Sequence, residues 1–445
     1  MRIVHFTAGA ADMYCGSCFR DNALAAALKS QGHDILLQPI YTPTLTDEPN
    51  VSGEKVLFGG VSIYLQQQVP FFRVTPRWLD SIWDSPAALK LASKRSITTS
   101  PKLLGELTVS MLRGEDGVLR KEFRKLTYWL QEHQRPEIVN ISYSLLIALA
   151  RAIKGAWDVP VCCTLQGDDL FLEGLEEPYR STALEFIRDG ARWVDQFIAV
   201  SDYCAGYMSD YLAIPRSRIA VVPIGINTDG FDRRPPAGSQ PFRIGYFARV
   251  APEKGLHHLC AAYRKLREMA APGPSRLEVA GYLKAEHRDY LDAIRRDMAE
   301  AGLADQFHYH GALDRDGKIA FLRSLDVLSV PSPYAEPKGL FVLEAMACGV
   351  PVVQPRHGAY PELIARTGGG ITVEPNDAVS LAEGLLTVWK DAGLRLALAD
   401  RAYEGVRRHY TARHMAIRLA EVYEGLRARH QQAILPRRVS GQPLP

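Results

Sequence analysis

Two carboxylates eight residues apart, Glu336 and Glu344, and two cations five residues apart, Arg249 and Lys254, are the side chains of this 445-residue chain whose types and spacing suit chemistry. Carboxylates accept hydrogen bonds from vicinal hydroxyls, and a guanidinium or ammonium neutralises phosphate oxygens. Together they suit a ligand that carries both a diphosphate and many hydroxyls, as a sugar nucleotide does. Two glutamates near a helix start also arise from ordinary capping and dipole compensation, so the elements around them have to decide.

Those elements are legible. In EPKGLFVLEAMACGVPVV (336–353), Leu343, Ala345, Met346 and Ala347 are good helix formers. The helix they predict opens after Pro337, Lys338 and Gly339 and stops at Gly349. The apolar runs 327–332 and 351–355 flank it as strands, so the unit is strand, loop, helix, strand, which aims free N–H groups and a positive dipole end at the loop. Upstream, FRIGYFARVAPEKGLHHL (242–259) predicts a strand ending at Arg249 and a helix beginning near Gly255, placing Arg249 and Lys254 to flank a diphosphate.

The run from Glu336 through Gly339 and Leu340 to Glu344, closed by Glu-Ala-Met-Ala, resembles the donor-site motif of the GT-B glycosyltransferases of retaining family four. The likeness extends over nearly the whole chain. It implies an α/β fold of two Rossmann-like domains facing across a cleft, with a C-terminal helix crossing back to the N-terminal domain. It further implies a hexosyltransferase that takes a UDP- or GDP-linked sugar, retains anomeric configuration, and uses neither metal nor other cofactor. In that geometry Glu336 binds sugar hydroxyls, Glu344 the ribose hydroxyls, and Arg249 and Lys254 the donor phosphates. The opening strand, small-residue loop and helix resemble the family's N-terminal phosphate loop, whose glycine pair falls on Cys15 and Gly16; Gly16 matches and Cys15 departs. The family's His near the reacting carbon is here Gln166, which can hydrogen-bond a hydroxyl but cannot be protonated. Lys338 takes a place usually held by an aromatic residue; its ammonium either meets a carboxylate on the donor sugar or points into solvent. Asp168 and Asp169 follow Gln166 and either orient an acceptor hydroxyl or cap the next segment. Two rivals are a sugar-nucleotide epimerase of the same architecture and a non-catalytic sugar-nucleotide binder.

The length predicts two domains of about 200 residues each. Residues 1–225 read as an acceptor-binding domain with a helical insertion over about 70–130, and 41–68 as a loop followed by a strand or hairpin at 58–67. A Pro- and Gly-rich linker follows at 226–241, then a nucleotide-sugar domain at 242–410, a crossover helix at 411–432 and a mobile tail at 433–445. A net charge of +3 argues against nucleic acid as a partner. The N-terminus reads as a strand rather than an export signal, no apolar run reaches membrane-spanning length, and seven cysteines suit reduced thiols, so a cytoplasmic enzyme is expected. Basic residues 113–125 with aromatics 71–83 suggest either peripheral membrane contact through 70–125 or a solvated helix face. Cys15, Cys18, Cys162 and Cys163 are either a four-thiol metal set or small buried residues.

Overall fold

Near-continuous apolar runs such as Ile3, Val4 and Phe6, or Val161 through Leu165, signal strands covered on both faces, and such strands belong to parallel sheets flanked by helices. The computed structural model describes residues 1–9, 15–68, 70–73, 101–233, 241–269 and 273–439. It has two units: Met1–Pro223 together with Met415–Pro445, and Ile224–His414. Each carries a six-stranded, all-parallel sheet.

In the first unit, β1 (Arg2–Thr7), β2 (Asp34–Pro39), β3 (Ile138–Ile141), β4 (Val161–Leu165), β5 (Gln196–Ala199) and β6 (Ile219–Val221) lie in the order β2-β1-β3-β4-β5-β6. In the second, β7 (Phe242–Phe247), β8 (Ser275–Ala280), β9 (Phe307–Tyr309), β10 (Val327–Leu328), β11 (Val352–Pro355) and β12 (Gly370–Val373) lie in the order β12-β11-β10-β7-β8-β9. The strand order reverses between β1 and β3 and again between β7 and β10. In doubly wound sheets the crevice at the carboxyl ends of such a strand pair is where ligands bind.

The helix Ala412–Val439 returns to the first unit from Met415 onward. Met415, Ala416, Leu419, Ala420, Tyr423 and Leu426 recur at helical spacing and pack on Ile3, Leu24, Ile35, Ile138, Cys162 and Ile198. Its predicted end was residue 432; it runs to Val439, and residues 440–445 of the expected tail lie outside the described residues. The division between units also falls earlier than the expected linker. Ile226 N–H donates to the Tyr410 carbonyl (2.9 Å), Ala412 N–H donates to the Ile226 carbonyl (2.7 Å), and Ile224, Ile226 and Phe231 join the second unit's core. Residues 234–240 of that linker lie outside the described residues.

Two further expectations need correction. Residues Gly60–Gln68 form a helix rather than a strand or hairpin, because Ser62 and Gln66, one turn apart, both donate to the buried Glu122 carboxylate. The strand before the glutamate motif closes at Leu328, after which Pro331 and Pro333 keep the chain irregular. Within the insertion, Pro101–Arg113 and Arg120–Glu132 are helices, while 74–100, with Trp78 and Trp83, lies outside the described residues. Part of the basic run is tied inward: the Arg113 guanidinium lies 5.7 Å from the Phe186 ring, and Lys125 pairs with Glu122 at 3.0 Å. Among the described residues no helix is long and apolar enough to cross a membrane. All seven cysteines are free thiols. Cys162 packs under the terminal helix and Cys163 in the cluster on the other face of β4, and no group of three or more His, Cys, Asp or Glu among the described residues forms a metal-ligand set.

Candidate active site

The second unit's switch point is built around three glycines at positive φ, two of which let backbone approach backbone. Arg249 and Lys254 follow β7, and the turn between them ends at Gly255 with φ +74°, where a Cβ would lie 2.0 Å from the Pro331 carbonyl oxygen. Only glycine allows the β7 loop to pass so near the segment after β10. Gly339, at φ +69°, caps the helix Leu340–Ala347. Gly358, at φ +61°, lets the turn after β11 press on the Glu336 backbone, whose carbonyl accepts the Ala359 N–H at 2.8 Å. Glu336 is thereby clamped from both neighbouring loops.

Its carboxylate, 3% exposed, forms an ion pair with Lys254 and accepts the Lys338 backbone N–H at 3.3 Å. Burial pushes the Glu336 carboxyl up, but the Lys254 and Lys338 charges outweigh it and hold the group below the usual carboxylate range. The Lys254 ammonium also lies 5.6 Å from the Tyr334 ring and 5.9 Å from that of Phe341. Arg249 pairs with Glu253 one turn on, and its carbonyl accepts the Tyr246 hydroxyl at 3.0 Å. Glu344, on the helix, is held by Lys318 at 2.7 Å, and that ammonium lies 5.7 Å from the Phe231 ring. The structure therefore brings Lys254, Glu336 and Lys338 together and gives Arg249 and Glu344 partners of their own.

Sequence reasoning missed Glu253 and Lys318. The i, i+4 spacing of Arg249 and Glu253 was a readable signal. Lys318 sits on a different helix, Arg315–Ser324, and no local pattern ties it to Glu344.

In the first unit, Gly16 is the first residue of the helix Gly16–Ser30, with Cys15 at its N-cap; residues 10–14 of the preceding loop lie outside the described residues. Gln166, just past β4, is fully buried. Its amide donates to the Ser142 carbonyl at 2.8 Å, while its Oε1 has no hydrogen-bond partner. Asp168 accepts the Ser144 N–H (2.8 Å) and hydroxyl (2.6 Å), so this carboxylate fixes the turn after β3. Asp169 opens the short helix Asp169–Glu173. An unpredicted buried cluster anchors β1: Asp21 accepts Thr7 at 2.9 Å and pairs with Arg20 at 2.8 Å and His5 at 3.4 Å. Burial raises the Asp21 carboxyl, and His5, Arg20 and Thr7 together bring it below its ordinary value.

The family described as Glycosyl transferases group 1 matches residues 229–405, and Glycosyltransferase Family 4 matches residues 109–229, so the two run end to end across most of the chain. The chain belongs to the group 1, family 4 glycosyltransferases. An uncharacterized glycosyltransferase of Methanocaldococcus jannaschii is 29% identical over 52% of this glycosyltransferase, a stretch spanning 60% of the archaeal protein. The glycogen synthase of Mycobacterium tuberculosis is 27% identical over 65% of the chain and 69% of its own length. Among solved structures, sucrose-phosphate synthase from Thermosynechococcus elongatus superposes with a TM-score of 0.69 at 17% identity, covering 96% of this chain and 99% of that one. Anabaena HepE, solved in complex with UDP-glucose, gives 0.66 at 18% identity over 96% and 100%. At such identities the likeness shows the fold, which is GT-B. The ion-paired Lys254–Glu336 site lies within the 229–405 match.

Proposed function

We propose that this glycosyltransferase moves a hexosyl group from a nucleoside diphosphate sugar to an acceptor hydroxyl with retention of configuration, and that its own cations do the electrostatic work a metal does elsewhere. The bond from the anomeric carbon to the diphosphate oxygen breaks, a bond to the acceptor oxygen forms, and the hydroxyl proton is released. The observation that carries this reading is the Lys254–Glu336 pair before a helix N-terminus at the β7/β10 switch point. One partner suits a diphosphate and the other a sugar hydroxyl, and they hold each other ready. On donor binding the phosphates take over Lys254, and Glu336 turns to hydroxyls. Arg249 serves the same diphosphate and Glu344 the ribose, with Gly339 and Leu340 completing this unit's donor contacts. HepE's complex with UDP-glucose supports a UDP-hexose. Gln166, buried and bonded to the Ser142 carbonyl, does not take the place of the family's histidine against the sugar; Asp169 serves the acceptor, and no cofactor takes part.

A thermal-shift screen of UDP-, GDP- and ADP-sugars tests the reading. A donor at about a hundredfold its dissociation constant adds roughly 2.7 kcal/mol of apparent stability, so one nucleotide class is expected to raise the melting temperature. No shift with any of them sinks the proposal. A hydrogen bond to a charged group contributes about 1.5 to 3 kcal/mol, so Glu344→Gln is expected to weaken donor binding by roughly ten- to a hundredfold, read by calorimetry.

A further inference from the structure

The run Cys15-Gly16-Ser17-Cys18 opens the helix Gly16–Ser30, which joins β1 to β2 in a parallel strand, helix, strand unit. Two thiols at that spacing and in that place are the arrangement dithiol–disulfide chemistry uses, because one helical turn brings the sulfurs together and the helix's first N–H groups favour a thiolate. Cys15 is the N-cap, with extended backbone (φ −123°, ψ 123°), and its carbonyl accepts the Phe19 N–H at 3.1 Å, so Cys18 lies within the same turn. The reach of an N-cap side chain is visible on the helix Asp202–Leu212, where the Ser201 hydroxyl oxygen accepts the N–H of Cys204, three residues on, at 3.1 Å. Cys15 holds the same station over Cys18 with a sulfur. β-Carbons three residues apart on a helix are about 5–6 Å apart and a disulfide brings them to about 3.8 Å, so closure asks for a small turn of the backbone at the helix's first residue.

Burial separates these two thiols from the other five and from each other. Of the seven cysteines Cys15 alone is part-exposed, while Cys18 is 2% exposed. A part-exposed sulfur can attack, and a buried one beside it can resolve. Cys162, Cys163, Cys260 and Cys348 are buried, and burial pushes each of those thiols up, which leaves them protonated and inert. Cys15 stands in a polar place instead. Its Sγ is 3.9 Å from the Tyr143 hydroxyl, which burial pushes well above the usual tyrosine range, so that hydroxyl keeps a proton to donate to a thiolate. Tyr143 follows β3 and Cys15 follows β1, which puts the pair at the carboxyl ends of the strands between which the first unit's sheet order reverses.

We propose that Cys15 and Cys18 form a thiol–disulfide exchange site for a small-molecule disulfide such as oxidised glutathione, Cys15 attacking and Cys18 resolving. The Cys15 thiolate attacks one sulfur of that disulfide; its S–S bond breaks, and the departing thiolate takes up the proton that Cys15 gave to solvent. Cys18 then loses its own proton and attacks the Cys15 sulfur, and the second small thiol leaves with a proton. Two protein thiols are oxidised to one disulfide, and the small disulfide is reduced to two thiols. Nothing in this exchange depends on the donor site of the second unit.

The test treats the reduced, intact protein with oxidised glutathione, then denatures it, alkylates the remaining thiols with iodoacetamide and maps every cysteine by mass spectrometry. One disulfide joining Cys15 to Cys18 is expected, with the other five cysteines alkylated. In Cys18→Ser the resolving step is lost, and glutathione is expected to stay on Cys15; in Cys15→Ser, Cys18 is expected to stay reduced. Without glutathione, iodoacetamide is expected to capture Cys15 of the folded protein at least about tenfold faster than any of the buried cysteines. No Cys15–Cys18 disulfide in the parent protein, capture of a buried cysteine as fast as Cys15, or oxidation of Cys18 as readily in Cys15→Ser as in the parent overturns the proposal. The parent protein alone decides the first two of these, so a variant that fails to fold leaves the test standing.

Discussion

Lys254→Ala is expected to lower kcat by about a hundred- to a thousandfold while raising the donor Kd far less. A pyrophosphate leaving group gains negative charge as the anomeric bond breaks, so a cation aimed at it is worth more in the transition state than in the bound donor. Removing one such pre-aimed group costs about 2.7 to 4 kcal/mol of transition-state stabilisation. Single-turnover kinetics with the donor found by the thermal screen separate the two quantities. An equal rise in Kd with kcat untouched would mean that Lys254 only tethers the donor.

The same variant carries a pH signature whose sign follows from its partner. Glu336 has a depressed carboxyl in the folded protein, so its stabilising contribution is complete above the ordinary glutamate pKa of about 4.3 and is lost as the pH falls through the depressed value. Without Lys254, burial is left opposed by Lys338 and its backbone N–H, and the folded-state pKa rises. Acid unfolding of Lys254→Ala is therefore expected to begin at higher pH than in the parent protein, and circular dichroism along an acid titration reads it. An unchanged acid midpoint would show that the pair does not govern Glu336.

The second large effect is on stability. Lys318→Met is expected to cost about 3 to 5 kcal/mol, because it strands the Glu344 carboxylate, whose side chain is 14% exposed, without the ammonium that compensates it. For a unit of this size each kcal/mol moves the melting temperature by roughly 2 to 4 °C. The double variant Lys318→Met, Glu344→Leu removes both charges and is expected to recover most of the loss, since an apolar pair of similar volume often replaces a buried ion pair at little cost. A single-variant loss below about 1 kcal/mol would place the pair among exposed contacts of small worth. The cycle also separates fold from the proposed donor site: stability is expected to return in the double variant while donor affinity, which the proposal rests partly on Glu344, is not.

Glu336, Glu344, Arg249, Lys254 and Gly339 were legible because local sequence codes for what surrounds them: a strand's apolar run, a glycine at positive φ, a helix that can start nowhere else. The same local signals suggested 58–67 as a strand or hairpin, and there a distant carboxylate, Glu122, decided for helix by drawing Ser62 and Gln66 to one side.

The sequence by itself determined two parallel α/β units, the loop-to-helix glutamate motif and the places of Arg249 and Lys254 after a strand, since each depends on residues within one turn or one strand of another. Tertiary structure alone decided that Lys254 pairs with Glu336, that Lys318 holds Glu344, and that Asp168 serves Ser144. Those pairings join residues far apart in the chain. Parallel strands are linked only by long crossovers, so which loops meet at a strand's carboxyl end is set by sheet order and not by sequence neighbours.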